Sequence, residues 1–300
     1  MPGGAGRGDR TNPVGVSTDS VLLPAVEAVI PAHNEHPAAL VATLQACLSQ
    51  TVRFTAIQLV DDASDPPVHL PAELEGSGIS VLRLATNGGI SAARNAGLER
   101  VRAEFVACVN VEVLPSPEWL ERCLGYLVAH PTVAACFTRT DPLDSDGLLP
   151  RWRIRFQELL FPAETGPASF ATGHAVLFRR AALAAVEGYD QRLRRINEDS
   201  DVCYRMRARG WDTHFLTGTS CTSIQVDSLV QLARKELIRR GDDPQSPPPA
   251  SHLVAASTRM LGQRLARDLY RRRFSFLPVD VAVWAISVAL LARRSRVRNR

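Results

Sequence analysis

Neither a GxGxxG nor a GxxxxGK[ST] loop follows the first apolar run of this chain. Those loops cradle phosphates with backbone N–H groups, so a dinucleotide dehydrogenase and a P-loop NTPase are disfavoured. The 6 cysteines (Cys47, Cys108, Cys123, Cys136, Cys203, Cys221) form no CxxC pair and meet no histidine cluster, so no zinc-site pattern exists. Most sit in apolar runs, where a free thiol behaves as a small buried hydrophobe. The N-terminal residues carry Arg7, Asp9 and Arg10 but no apolar h-region, so no secretory signal is read. A reduced, cytoplasmic location is the expectation. The apolar run at 277–292 is short for a bilayer span, and Asp280 interrupts it. The basic C-terminus lacks aromatic interleaving and any recognised motif, so nucleic acid is not an expected partner.

What is present suits one large domain with an appendage: 300 residues at 45% hydrophobic content can bury a core. The formal net charge of +4 is concentrated in Arg271, Arg272, Arg273 and the arginines of residues 293–300. Such a cluster beside apolar sequence fits an anionic membrane surface, at the cytoplasmic face. Residues 1–20, rich in Gly, Ser, Thr and Pro, read as a disordered lead. Residues 21–243 read as the main domain and 244–250 as a Pro-rich linker. Residues 251–300 read as a basic tail of amphipathic and apolar helix, with peripheral membrane contact through 274–300, or docking on the domain as the alternative.

Short apolar runs at 25–30, 56–60, 79–84, 105–109 and 132–137 alternate with helical patterns. That order predicts an α/β fold with a parallel sheet and right-handed crossovers. Ser116-Pro117-Glu118 reads as the N-cap of one helix, with Pro at its first position. In such sheets ligands bind beyond the carboxyl ends of the strands. Asn34-Glu35, Asp61-Asp62 and Asn110-Val111-Glu112 all fall at strand ends, which predicts one shared polar crevice. Further on, Glu198, Asp199 and Asp201 open a helical segment. Free N–H groups and the helix dipole stabilise an ionised acid there, as a general base requires.

Seven motifs in order resemble family 2 glycosyltransferases over roughly residues 25–230. They are Val29-Ile30-Pro31-Ala32-His33-Asn34-Glu35, Leu59-Val60-Asp61-Asp62-Ala63-Ser64-Asp65, and Asn87-Gly88-Gly89-Ile90-Ser91-Ala92-Ala93-Arg94-Asn95-Ala96-Gly97. Pro117-Glu118-Trp119-Leu120, Phe178-Arg179-Arg180, Gly188-Tyr189-Asp190 and Glu198-Asp199-Ser200-Asp201 complete the set. The resemblance implies a GT-A fold: a Rossmann-like, mainly parallel sheet flanked by helices, here with a C-terminal helical tail. It implies a nucleotide-sugar donor, an acceptor of unspecified kind, and an inverting transfer to an acceptor hydroxyl. Asp199 would be the general base, with Glu198 beside it. Pro31, Ala32, Glu35 and Asp62 would line the nucleoside pocket, with Arg94, Asn110, Gly173 and His174 also at the donor. Glu112 and Asn110 would hold a divalent metal, Mg²⁺ or Mn²⁺, on the diphosphate.

The chain departs from the family pattern at two metal-site positions. Asn110 stands where the DxD-like motif usually has Asp, and Ser223 stands where a metal-ligating His is common. An amide oxygen can ligate a hard cation but brings no charge. Three outcomes stay open: weak metal binding, transfer with Arg or His in place of the cation, or a degenerate protein that binds nucleotide-sugar or a partner without turnover. The intact Asp62 and Glu198-Asp199 pair stands against the last.

Overall fold

A computed structural model describes residues 23–143, 146–160, 162–172, 174–194, 197–225, 227–239 and 249–298. The expected lead, Gly173 and residues 244–248 of the expected linker lie outside that set.

Apolar runs with no polar alternation become inner strands, because a parallel strand is covered on both faces. β1 (Val26–Ala32) is buried at every position. It pairs in parallel with β2 (Ala56–Asp61) on one side and β4 (Phe105–Val109) on the other, and β2 pairs in parallel with β3 (Ile79–Arg83). Helix α1 (Pro37–Leu48) links β1 to β2, and α2 (Ile90–Leu98) links β3 to β4. Leu40 and Leu44 of α1 pack with Trp119, Leu120 and Leu124 of α3 (Trp119–Ala129) on one face of the sheet. On the other face Ala93 of α2 joins Ala182 and Leu183 of α5 (Arg180–Ala185) and Val202, Cys203 and Met206 of α6 (Glu198–Arg207).

The remaining strands are β5 (Val113–Pro115), β6 (Val133–Pro142), β7 (Gly166–Pro167), β8 (Ala175–Arg179) and β9 (Asp212–Ser223). The sheet runs β3-β2-β1-β4-β8-β6-β9-β5, with β7 on β9. Strand β8 enters antiparallel between β4 and β6. The sheet is therefore mixed: β6 and β9 are parallel, while β5 and β7 run antiparallel to β9. The run expected as a fifth parallel strand is the start of β6, separated from β4 by β8. The helix expected to be capped by Ser116 begins at Trp119, and the Ser116 hydroxyl is hydrogen-bonded to that of Thr219 at 2.8 Å instead.

Helices α4 (Leu148–Leu160), α7 (Leu229–Arg239) and α9 (Leu277–Arg298) share a separate apolar cluster built on Trp152, Leu232, Ala233, Phe276, Val279 and Val283, and α8 (Ala250–Tyr270) joins α7 and α9 through Leu253, Leu237 and Leu291. Its charged centre is Arg155, which binds Asp268 of α8 and Asp280 of α9, while Trp152 Nε1 donates to Asp280 at 3.0 Å. The tail thus docks on α4 and α7. The stretch Phe274–Arg293 is long and apolar enough to cross a membrane by length and composition, longer than the sequence run suggested. Its Asp280, however, is sealed against protein.

Candidate active site

The carboxyl ends of β2, β1 and β4 lie side by side, as the parallel register requires. Beyond β1 the chain turns through His33 and Asn34, the latter at φ 55°. Short polar side chains tolerate that left-handed conformation. The turn is stitched to the end of β2: Asp62 N–H donates to the Ala32 carbonyl at 2.9 Å, and Asn34 N–H donates to Ser64 Oγ at 3.0 Å. Pro31 and Ala32 are buried strand-end residues.

The two acids at the end of β2 divide their work. Asp61 is spent on its own loop, accepting from Ser64 N–H, Val68 N–H and Arg83. Asp62 points toward the next loop, where its oxygens accept the N–H groups of Gly88 and Gly89 at 2.7 and 2.8 Å. Gly89 sits at φ 87°, and a Cβ there would lie 2.6 Å from the Arg194 carbonyl oxygen. Only glycine meets both demands. The Asn87-Gly88-Gly89 turn, a weak phosphate-cradle candidate in the sequence, is thus held by a carboxylate.

Helix α2 starts directly after that turn and carries Arg94, which is fully buried. Its guanidinium donates to Glu198 at 3.0 Å and Asp199 at 2.6 Å through one nitrogen, and to Asn110 Oδ1 at 2.8 Å through another. It also stacks over the Tyr189 ring at 5.0 Å. Asn95, one position on, pins Gly188-Tyr189 by paired bonds with the Tyr189 carbonyl and N–H at 2.8 and 2.9 Å. These contacts bring the start of α6 to the end of β4. A connected path therefore runs from Asp62 through Gly88-Gly89 and α2 to Arg94, and from there to Asp199 and Asn110. His174 closes the same corner, its carbonyl accepting from Asn110 N–H at 2.9 Å.

Asp199 keeps 17% of its side chain exposed, while Glu198 is nearly sealed. Burial, aided by the neighbouring Glu198 carboxylate, pushes the Asp199 carboxyl up to about 7 against the pull of Arg94. That is the range in which a carboxylate can take a proton and give it up at neutral pH. Arg94 itself is held above its ordinary value; burial opposes this, and Asp199 and Glu198 outweigh it.

Glu112 lies past Asn110 at φ 70°, its N–H donating to Thr43 Oγ1 at 3.0 Å. Burial pushes its carboxyl up, with Lys235 and Arg153 pulling down and Asp227 pushing up. Glu35 is also raised, by burial and then by Glu112, so these two carboxylates share one field. As a metal site the set is incomplete. Asn110 Oδ1 already accepts from Arg94, and the Ser223 hydroxyl accepts from Gln225 N–H at 3.3 Å. Among the described residues no group of three or more His, Cys, Asp or Glu could hold a metal ion.

The sequence reading missed the joint hold of Arg94 on both acids, and it missed Arg153, Asp227 and Lys235 beside Glu112. An arginine repeated in a helical pattern carries no mark of its distant partner.

The chain matches the description "Glycosyl transferase family 2" over residues 27–186. It is 30% identical over 172 residues to the pre-mycofactocin glycosyltransferase of Mycobacterium tuberculosis, covering 54% of this chain and 36% of that protein. It is 29% identical over 213 residues to glucomannan 4-beta-mannosyltransferase 2 of Arabidopsis thaliana, covering 65% and 40%. The chain thus spans well under half the length of these curated relatives. Among solved structures, the mannosyltransferase PcManGT of Pyrobaculum calidifontis in complex with GDP-Man and Mn²⁺ shares the fold at a TM-score of 0.60 and 18% identity, with 92% of this chain and 90% of that one covered. The matched span runs from β1 through α5 and holds the Asp62 and Arg94 segments, so the chain belongs to glycosyl transferase family 2.

Proposed function

We propose that this chain is an inverting glycosyltransferase that moves a sugar from a nucleotide-diphosphate donor to an acceptor hydroxyl. The observation that carries this reading is Asp199: a carboxylate tuned to about 7, fixed by Arg94 at the rim of the strand-end crevice. As the acceptor oxygen attacks the anomeric carbon, Asp199 takes the hydroxyl proton. The bond from that carbon to the phosphate oxygen breaks on the opposite face, and the nucleoside diphosphate leaves with the electron pair. A single displacement inverts the anomeric configuration. Glu198 shares Arg94 with Asp199 and so keeps the base oriented. Pro31, Ala32, Glu35 and Asp62 line the nucleoside side of the crevice in this reading, and Asn110 and His174 lie toward the donor sugar.

Glu112 is the carboxylate that this chain would offer a cation. Mg²⁺ or Mn²⁺ would be held there with the phosphate oxygens of the donor, screening their charge. The six free, buried cysteines are consistent with a reducing compartment, hence the cytoplasmic face of a membrane in this reading.

Incubating the protein with UDP-, GDP- and TDP-sugars, with and without Mn²⁺, should give hydrolysis or transfer from at least one donor. Asp199→Asn should lower that turnover about 10²–10⁴-fold, the usual worth of a general base, without loss of fold. Undiminished turnover in Asp199→Asn would remove it as the base. A melting temperature raised by nucleotide with no turnover of any donor would favour the binding-protein alternative.

A further inference from the structure

Where the metal ligands run out, two cationic side chains stand. The Glu112 carbonyl accepts from Ile224 N–H at 3.0 Å, which sets the following Gln225 beside the end of β4. Arg153 of α4 donates to the Gln225 carbonyl at 3.0 Å, and Lys235 of α7 donates to the Gln225 amide oxygen at 2.8 Å. Both cations also share one carboxylate. Lys235 reaches the two oxygens of Asp227 at 2.8 and 3.1 Å, and Arg153 lies 3.5 Å from it. Asp227 is sealed at 2% side-chain exposure, while Lys235 and Arg153 keep 33% and 21%. The buried Asp227 offsets one of the two cations and the Glu112 carboxylate shares the field of both, while the two cationic side chains stay partly open. A structural ion pair needs only one cation. Two partly exposed cations held in place by one buried acid can also meet an anion through charge-assisted hydrogen bonds.

We propose that Arg153 and Lys235 meet the diphosphate of the donor and supply the positive charge that Asn110 and Ser223 no longer help a metal to supply. The inference rests on the nucleotide-sugar reading above and names which groups of this chain receive the leaving group. As the bond to the anomeric carbon breaks, charge grows on the departing phosphate oxygen. An ammonium and a guanidinium already in place stabilise it without reorganisation. Asp227 holds both while the crevice is empty and need not move when the phosphates arrive. Lys235 sits on α7 and Arg153 on α4, so the helices that carry the tail also complete the donor site.

Calorimetric titration of the full chain with UDP, GDP and TDP, each in EDTA and then in Mn²⁺, tests this. The tightest-binding nucleotide should still bind in EDTA. Lys235→Gln should weaken it about tenfold, as loss of a charge-assisted hydrogen bond does. Arg153→Gln should weaken it less, Lys235→Arg should restore most of the affinity, and the matching nucleoside monophosphate should be weakened much less by Lys235→Gln. Binding that vanishes in EDTA, or a Lys235→Gln affinity within twofold of the parent while the parent binds, would overturn the proposal and leave the donor reading standing. No binding of any nucleotide even in Mn²⁺ would overturn both.

Discussion

Two buried arginines of the protein each hold two carboxylates. Arg94 holds Glu198 and Asp199; Arg155 holds Asp268 and Asp280. The difference is access. Asp268 and Asp280 keep 3% and 0% of their side chains exposed, whereas Asp199 keeps 17%. Arg155 lies over Trp152 and Phe276, capped by aromatic faces. Arg94 lies over Tyr189 on one side and reaches Asn110 at the strand-end crevice on the other. The same ionic arrangement is sealed as a bolt in one place and in the other leaves one acid partly open, the acid proposed above as the base.

The sharpest way to break the comparison is to remove the sealed cation. Arg155→Met leaves two buried carboxylates unpaired, and breaking a buried pair in this way costs about 3–5 kcal/mol. Urea denaturation should show that loss. Adding Asp268→Asn and Asp280→Asn to the same chain should recover much of it, because the uncompensated charge is then gone. A loss under about 1 kcal/mol would mean that the tail is held by its apolar contacts alone.

The open cluster should instead announce itself through pH. With Asp199 near 7, donor turnover should rise about tenfold per pH unit below that value and level off above it, since only the ionised form accepts the proton. Stability should move the opposite way. A carboxyl that titrates near 7 when folded, against about 3.9 in an unfolded chain, binds its proton more tightly in the native state. Its contribution is fully present below the unfolded value and is lost as pH rises through about 7. Asp199→Asn should flatten that slope. A turnover profile that is level between pH 5 and 7 would show that Asp199 is ionised throughout.

How much of this could be read in advance follows the range of each interaction. The apolar run at 25–30, which the fold extends to Ala32, the acids at the end of β2 and the acid-rich start of α6 are local features, and they stand close to where the sequence put them. The antiparallel entry of β8 between β4 and β6 is a choice among neighbours that no residue pattern encodes. Arg94 was legible as a motif member but not as the partner of acids 104 and 105 positions away, and Arg155 finds Asp280 across 125 positions. Asp280 reads in the sequence as a defect in an apolar run; in the fold it is what fastens that run to α4.

The sealed bolt also fixes which side of α9 is spare, and the smallest expected effect lies there. With Asp280, Val283, Ser287 and Leu291 turned inward, the opposite face shows Val281, Pro278, Ala285 and Ala289 to solvent. At the α8–α9 corner Tyr270 and Phe274 are 89% and 59% exposed, beside the exposed Arg271 and Arg272. Aromatic and apolar groups ringed by arginine suit the surface of an anionic bilayer. The full chain should co-sediment with vesicles rich in phosphatidylserine and not with neutral phosphatidylcholine vesicles. Each arginine near such a surface is worth about 1 kcal/mol, so Arg271→Gln should weaken sedimentation roughly fivefold. It should leave both buried clusters, and hence turnover in solution, unchanged. Equal binding to both kinds of vesicle, or none to either, would assign the uncovered face of α9 to something other than charged lipid.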